Sequence, residues 1–414
     1  MSLATLLART IMAAVSAVSA VAVAACGTVR SPDAVVVRDS AGVTIVENFR
    51  PEWPEGTGWT LEAEPERVLE GAADVTGAAL LTDGTVVLLD AMAHQLHFYG
   101  ADGELLISAG REGAGPGEFT SPTGLRRYHG DSVAVFDPGL GRISVFSAAG
   151  EFARSVPVRL AAPQIELVGT LGDGSFIVRA VGFGRNRGIW REPARYALIL
   201  PDGSAFDTLA VLPGEEFFRT HFRGRSLYGH RPFGRAAIGA AGRDVLVVNA
   251  GDDCAVAVYG ADRETAMLVR LSCERRRLAS ETLVAFERAR LSGIRNAATR
   301  ELYAALYAAN KVPYPKVARP YDQLLVDARG NLWIGRYLLP NDGVRHWLVF
   351  RTDGRLLGTV VTPVDLTIQQ VGDEHLVGIV RDDLDRARVE IHRLVRATHV
   401  QENDSVGEHR MPPR

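Results

Sequence analysis

The chain has 414 residues, 47% of them hydrophobic, with 42 glycines and a formal net charge of -3. That is ample for a large buried core, and the charge balance gives no support to nucleic acid or an anionic membrane surface as partner. Lysine occurs only at Lys311 and Lys316, so nearly every cation is arginine, and an arginine-rich stretch is weaker evidence of a site here than in a balanced sequence.

Residues 1–25 read as a targeting segment. Arg9 is their only charge, and Ile11 to Ala25 is apolar and built of small residues. That run is about 15 residues, short of the roughly 20 a membrane span needs. It ends in Val23-Ala24-Ala25-Cys26, which resembles the lipobox of bacterial lipoproteins. The resemblance implies that Cys26 carries the lipid. With Gly27 next, it also implies sorting to the outer membrane, on its periplasmic side or surface. The competing reading is an ordinary signal peptide with an incidental cysteine. Residues 26–41, with Arg30-Ser31-Pro32-Asp33 among them, are expected to form a flexible tether.

A repeat organises the remainder of the chain. Val86-Val87-Leu88-Leu89-Asp90, Gln95-Leu96-His97-Phe98-Tyr99 and Asp102-Gly103-Glu104-Leu105 recur without a gap 47 positions later. The second copy reads Val133-Ala134-Val135-Phe136-Asp137, Arg142-Ile143-Ser144-Val145-Phe146 and Ala149-Gly150-Glu151-Phe152. Each unit is an apolar strand ending in Asp, a turn, an alternating strand, a Gly turn and another strand, a three-strand meander. Drifted copies begin near Asp173, Gly242, Asp327 and His375, which makes six units. The expected fold class is all-β: a six-bladed β-propeller with four-stranded blades over 42–396. Radial packing covers both faces of each sheet. The last unit is one strand short, and Gly42 to Val46 or Trp59 to Glu62 is expected to supply it.

Gly110-Arg111-Glu112-Gly113-Ala114-Gly115-Pro116-Gly117-Glu118-Phe119, followed by the Arg142 to Phe146 strand, resembles the NHL repeat. In that family a Gly-rich loop and a Phe link one blade to the next. The whole chain is similar to exported six-bladed propellers of the TolB-like and NHL kind. That likeness implies mostly binding proteins, with hydrolases, lactonases and lyases among distant relatives, and fold analogy does not transfer function. The Gly-rich loop is not a phosphate loop, since Pro116 sits inside it and no Gly-Lys-Ser/Thr ending is present.

Two regions break the repeat, and on a propeller function tends to lie in such loops. Gly182 to Arg191 and Phe217 to Arg235 interleave arginine with aromatics. Guanidinium forks suit carboxylate or phosphate, so Arg185, Arg187, Arg223, Arg225, His230 and Arg231 are the candidate ligand-binding residues. A solvated loop with Arg packed on aromatic rings is the competing reading. Residues 279–312 show helical spacing, with Leu302 and Leu306, then Tyr303 and Tyr307, four apart. They predict a helical hairpin inserted between blades four and five, capping a channel mouth, offering a partner surface, or packing on the propeller's side. Cys254 and Cys273 flank a hairpin at similar offsets. They are expected to form a disulfide or to be two buried thiols. Residues 397–414 read as a disordered tail.

No His-Glu-x-x-His, Gly-x-Ser-x-Gly or calcium-loop motif occurs, and the strand-end acids Asp90, Asp137 and Asp327 are expected to bond turn amides. No cofactor is expected. The function expected is a lipid-anchored module binding a small anionic ligand, a glycan or a protein, with no nucleic acid. The alternative is a metal-assisted hydrolase, lactonase or lyase with its site in the central channel.

Overall fold

The computed structural model describes residues 35–49, 59–182, 184, 186–204, 206–260, 264–382 and 384–396. The expected leader, Cys26, most of the expected tether, Arg185 and the tail from 397 lie outside these residues.

The chain opens with the hairpin β1 (Val35–Ser40) and β2 (Val43–Asn48), then two short strands, β3 (Thr60–Leu61) and β4 (Arg67–Leu69). Blade one is β5 (Val75–Leu80), β6 (Val86–Asp90), β7 (Gln95–Tyr99) and β8 (Leu105–Ala109). Blade two is β9 (Gly124–Tyr128), β10 (Ser132–Asp137), β11 (Arg142–Phe146) and β12 (Phe152–Pro157). Blade three has five strands: β13 (Gln164–Thr170), β14 (Phe176–Val181), β15 (Gly188–Ile199), β16 (Phe206–Phe222) and β17 (Arg225–His230). Blade four is β18 (Ile238–Gly242), β19 (Val245–Asn249), β20 (Ala255–Tyr259) and β21 (Thr265–Leu271), followed by helices α1 (Ser280–Ser292) and α2 (Ala297–Ala308). Blade five is β22 (Tyr321–Val326), β23 (Leu332–Arg336), β24 (Val344–Phe350) and β25 (Leu356–Pro363). Blade six is β26 (Thr367–Val371), β27 (His375–Arg381) and β28 (Ala387–Val395).

The first strands β5, β9, β13, β18, β22 and β26 touch in that order, and β26 returns to β5. The ring closes, and the architecture is a β-propeller. The second strand of each blade explains the packing. On β6, Val86 and Leu88 pack with Val377, Ile379 and Val389 of blade six. Val87 and Leu89 pack with Leu125, Val133 and Val135 of blade two. Successive side chains leave opposite faces of a strand, and neighbouring blades cover both faces. The strand therefore reads as a continuous apolar run. Where inner strands approach most closely, glycine is required: a Cβ on Gly169 would collide with the carbonyl oxygen of Ala241.

The strand-end acids act as turn acceptors. Asp90 takes the amides of Ala73 at 2.6 Å and Ala93 at 3.0 Å, and Asp137 takes those of Thr120 at 2.6 Å and Leu140 at 3.1 Å. The Gly-rich loop links blades: Phe119 is buried against Phe146, and Arg142 donates to the carbonyl of Glu118 at 2.9 Å.

The N-terminal segment departs from expectation. The expected tether ends in strand β1, because Val35-Val36-Val37 pairs with β2 through a turn at Ala41 and Gly42, both at positive φ. β2 then runs parallel to β21 and widens blade four to six strands. β4 and β3 supply the outer edge of blade six by pairing with β28. The Trp59 to Glu62 segment thus belongs to the closure, and Gly42 to Val46 serves blade four.

The two arginine-aromatic stretches are strand in part: Gly188 to Arg191 lies on β15, Phe217 to Phe222 on β16 and Arg225 to His230 on β17. β15 and β16 continue past the blade as a long arm, with Ile189 opposite Phe218 and Trp190 opposite Phe217, and β17 folds back on β16. Aromatic and β-branched cross-strand pairs stabilise such a ribbon. The helical pair lies between β21 and β22, its second helix capped by Asn296 accepting from Thr299 N at 2.9 Å. Phe218 of the arm shares a buried cluster with Leu306, Tyr307 and Val312. The arm and the helices hold one another.

Candidate functional site

A cavity of about 800 Å³ opens where the inner strands meet, and forms the central channel. Each of the six inner strands contributes to its wall, among them Thr76, Arg126, Leu167, Ile238, Leu324 and Ile368. Four inner strands carry a β-bulge, and the extra residue is Thr76 on β5, Val168 on β13, Asp322 on β22 and Gln369 on β26. All four line the cavity. A bulge re-aims a side chain that a regular ladder would send between blades.

The charges on the wall are unevenly matched. Glu166 is held bidentately by Arg179, at 2.9 and 3.1 Å, and Arg179 also donates to Ala237 O at 2.8 Å. Glu215 lies 3.4 Å from Arg179 and 2.6 Å from His230 Nδ1. The hydrogen bond from His230, with Arg179 adding to it against the opposing effect of burial, lowers the Glu215 carboxyl to about 2. Asp322 is gripped by Arg345 at 2.5 Å and accepts from Leu338 N. Every carboxylate lining the cavity therefore has a cationic partner.

Two lining guanidinium groups do not have the converse. Arg126 donates to carbonyls only, Leu125 O at 2.8 Å and Val168 O at 3.3 Å. Burial lowers its pKa, and nearby Glu166 acts in the opposite sense. Arg319 lies over the Tyr337 ring at 5.0 Å, and its buried Nε has no hydrogen-bond partner among the described residues.

The sequence candidates fall mostly elsewhere. Arg223 and Arg225 are exposed at the β16–β17 turn, and Arg187 is exposed just before β15. Arg231 is committed to Glu216 at 2.8 Å and to Pro313 O at 2.6 Å. Arg185 is outside the described residues. Among the described candidates only His230 touches a channel residue, through Glu215, with its ring against Phe217 at 4.6 Å. Among the described residues, strand pairing sets Arg223 and Arg225 at the β16–β17 turn, apart from Arg231 on Glu216. Arg126, Arg179 and Arg319 carry no signal in the sequence. They lie far apart there, and only the ring closure brings them together. Cys254 and Cys273 are brought together as a disulfide, with Cα atoms 6.0 Å apart.

No family model and no curated protein sequence matches the chain. Among solved structures, a protein of Bacteroides fragilis described as exported matches at 13% identity and TM-score 0.43, over 86% of this chain and 100% of that one. Virginiamycin B lyase of Staphylococcus aureus matches at 11% identity and TM-score 0.39, over 82% and 95% of the two chains. A gluconolactonase of Xanthomonas campestris matches at 16% and 0.39, over 80% and 91%. Likeness of this degree carries no argument about ligand or chemistry, so the functional reading rests on the channel itself.

Proposed function

We propose that the chain is an exported, lipid-anchored, six-bladed propeller that binds a small anionic ligand in its central channel. One observation carries the binding reading. The cavity's carboxylates are all matched by Arg or His, whereas Arg126 and Arg319 have no carboxylate partner among the described residues. An anion entering the channel meets two guanidinium groups without displacing an existing ion pair, and charge-assisted hydrogen bonds to guanidinium are the strong kind. The arm and helices, with Glu215 and Arg319 on the cavity wall, hold that part of the site.

The test is calorimetric titration of the soluble chain 27–414 with citrate and with inorganic phosphate. Arg126→Gln and Arg319→Gln should each weaken binding by about tenfold or more, the worth of one charged hydrogen bond. Unchanged affinity in both variants refutes the site. The metal-assisted alternative needs ligands that converge, and among the described residues no group of three or more His, Cys, Asp or Glu is placed to hold a metal ion. Elemental analysis of protein purified without chelator decides that point: about one metal per chain would favour the enzyme.

The anchor rests on the Val23-Ala24-Ala25-Cys26 sequence. Among the described residues no helix is long and apolar enough to cross a membrane. Labelled fatty acid should enter the wild type and not Cys26→Ser.

A further inference from the structure

The channel wall carries a second set of groups that the anion reading does not use. Gln164 on β13, Gln323 on β22 and Gln369 on β26 all line the cavity, as do Thr76 on β5 and Thr123 just before β9. Among the described residues neither the Gln164 nor the Gln323 side chain has a hydrogen-bond partner, and Gln369 has one long contact, to Thr367 O at 3.5 Å. The Thr76 hydroxyl is buried without a partner. Gln370, one residue along, shows what a structural glutamine looks like here: it accepts from Leu80 N at 2.9 Å and donates to Leu80 O at 3.1 Å, joining blade six to blade one. The bulge at Gln369 separates the two roles, sending one amide into the channel and the next into the blade contact.

The chemistry of the unused groups restricts the ligand. Each glutamine offers a donor and an acceptor on one planar end. An ionised carboxylate without hydroxyls accepts only, so it leaves the amide oxygens unanswered. A hydroxyl both donates and accepts, and it answers an amide completely. Five such groups from five blades surround two unmatched guanidinium groups in one cavity of about 800 Å³. Among the described residues no Phe, Tyr or Trp lines it, so these offer no ring face for a nucleobase or other aromatic ligand to stack on.

We infer that the ligand is a small polyhydroxylated anion, an acid or phosphate ester of a polyol or sugar. Its hydroxyls are read by Gln164, Gln323 and Gln369, and its charge by Arg126 and Arg319. This rests on the anion-binding reading and adds the recognition of hydroxyls to it.

The test compares ligands of equal charge with and without hydroxyls, titrated into the chain 27–414. Galactonate should bind about tenfold or more tighter than hexanoate, and galactose 1-phosphate tighter than inorganic phosphate by a similar factor. The stronger of the two hydroxylated ligands tells a carboxylate source from a phosphate source. In Gln164→Leu/Gln323→Leu, which keeps only Gln369, the preference should fall severalfold, with hexanoate and inorganic phosphate unaffected. Equal binding of hydroxylated and plain anions by the wild type overturns this inference and leaves the anion reading standing. Galactitol bound as tightly as galactonate overturns the anion reading while keeping the hydroxyl contacts. No binding of any of the five overturns both. The wild-type comparison decides the matter even where the double variant fails to fold.

Discussion

Phe218 of the blade-three arm packs into the same buried cluster as Leu306 of α2. The two belong to the two stretches that interrupt the repeat, and the contact makes one structure of them. Phe218 is 7% exposed and Leu306 1%. Truncating either to alanine should cost about 2–4 kcal/mol of local stability, from lost burial and the cavity left behind. Because they share a cluster, the double variant should lose less than the sum. Trypsin cleavage at Arg288 and Arg290 should rise in each single variant. Cleavage unchanged from wild type would show that the helices do not depend on the arm.

Acid should loosen the channel wall through Glu215. Its pKa is about 2 in the folded chain against an ordinary value of 4.5, so the unfolded chain takes up the proton first. The stabilisation is fully present above pH 4.5 and is lost as pH falls toward 2. The side chain is 25% exposed, so solvent screening keeps the contribution to the order of 1–3 kcal/mol. Denaturant midpoints of wild type and Glu215→Gln, measured from pH 7 to pH 3, should converge on acidification. Parallel curves would remove Glu215 from the account.

The ring is legible in the sequence because its signal is local and repeated. An apolar strand ending in Asp at Asp90 and again at Asp137 reflects a strand covered on both faces and a carboxylate that closes the turn. The helices are legible from four-residue spacing. The arm is not, because Arg and Gly between aromatics look like loop composition, and only the pairing of Trp190 with Phe217 reveals a ribbon. Nor is the site. Arg126 looks like any surface arginine, and a bulge at Asp322 or Gln369 is one unpaired residue that leaves no compositional mark.

The Cys254–Cys273 disulfide closes a separation of 19 residues around the β20–β21 hairpin. Constraining a loop of that size in the unfolded chain contributes about 3 kcal/mol in the chain-entropy account. Reduction, or Cys254→Ala/Cys273→Ala, should lower the denaturant midpoint accordingly and leave ligand affinity intact, since neither cysteine lines the channel. The chain 27–414 lacks Cys26, so thiol titration of its unreduced, denatured form should find no free thiol. Two titratable thiols would show that the bond does not form.

Closure of the ring depends on Trp59. Its ring lies 5.7 Å from that of Trp333, Arg396 sits over it at 4.4 Å, and its amide donates to Thr359 O at 3.0 Å. These contacts pin the segment leading into β3 against blade five just before it pairs with β28 of blade six. Upstream, Asn48 ties the same N-terminal chain to blade five by donating to Gly354 O at 3.1 Å. Trp59→Ala should therefore cost about 3–5 kcal/mol, and the loss should localise. Amide exchange should quicken first in β28, which loses the cover of β3 and β4, while β10 and β14 keep their protection. If exchange rises evenly across all blades, the N-terminal strands contribute to global stability without acting as the clasp. If β28 alone opens, the clasp is the weakest joint of the ring.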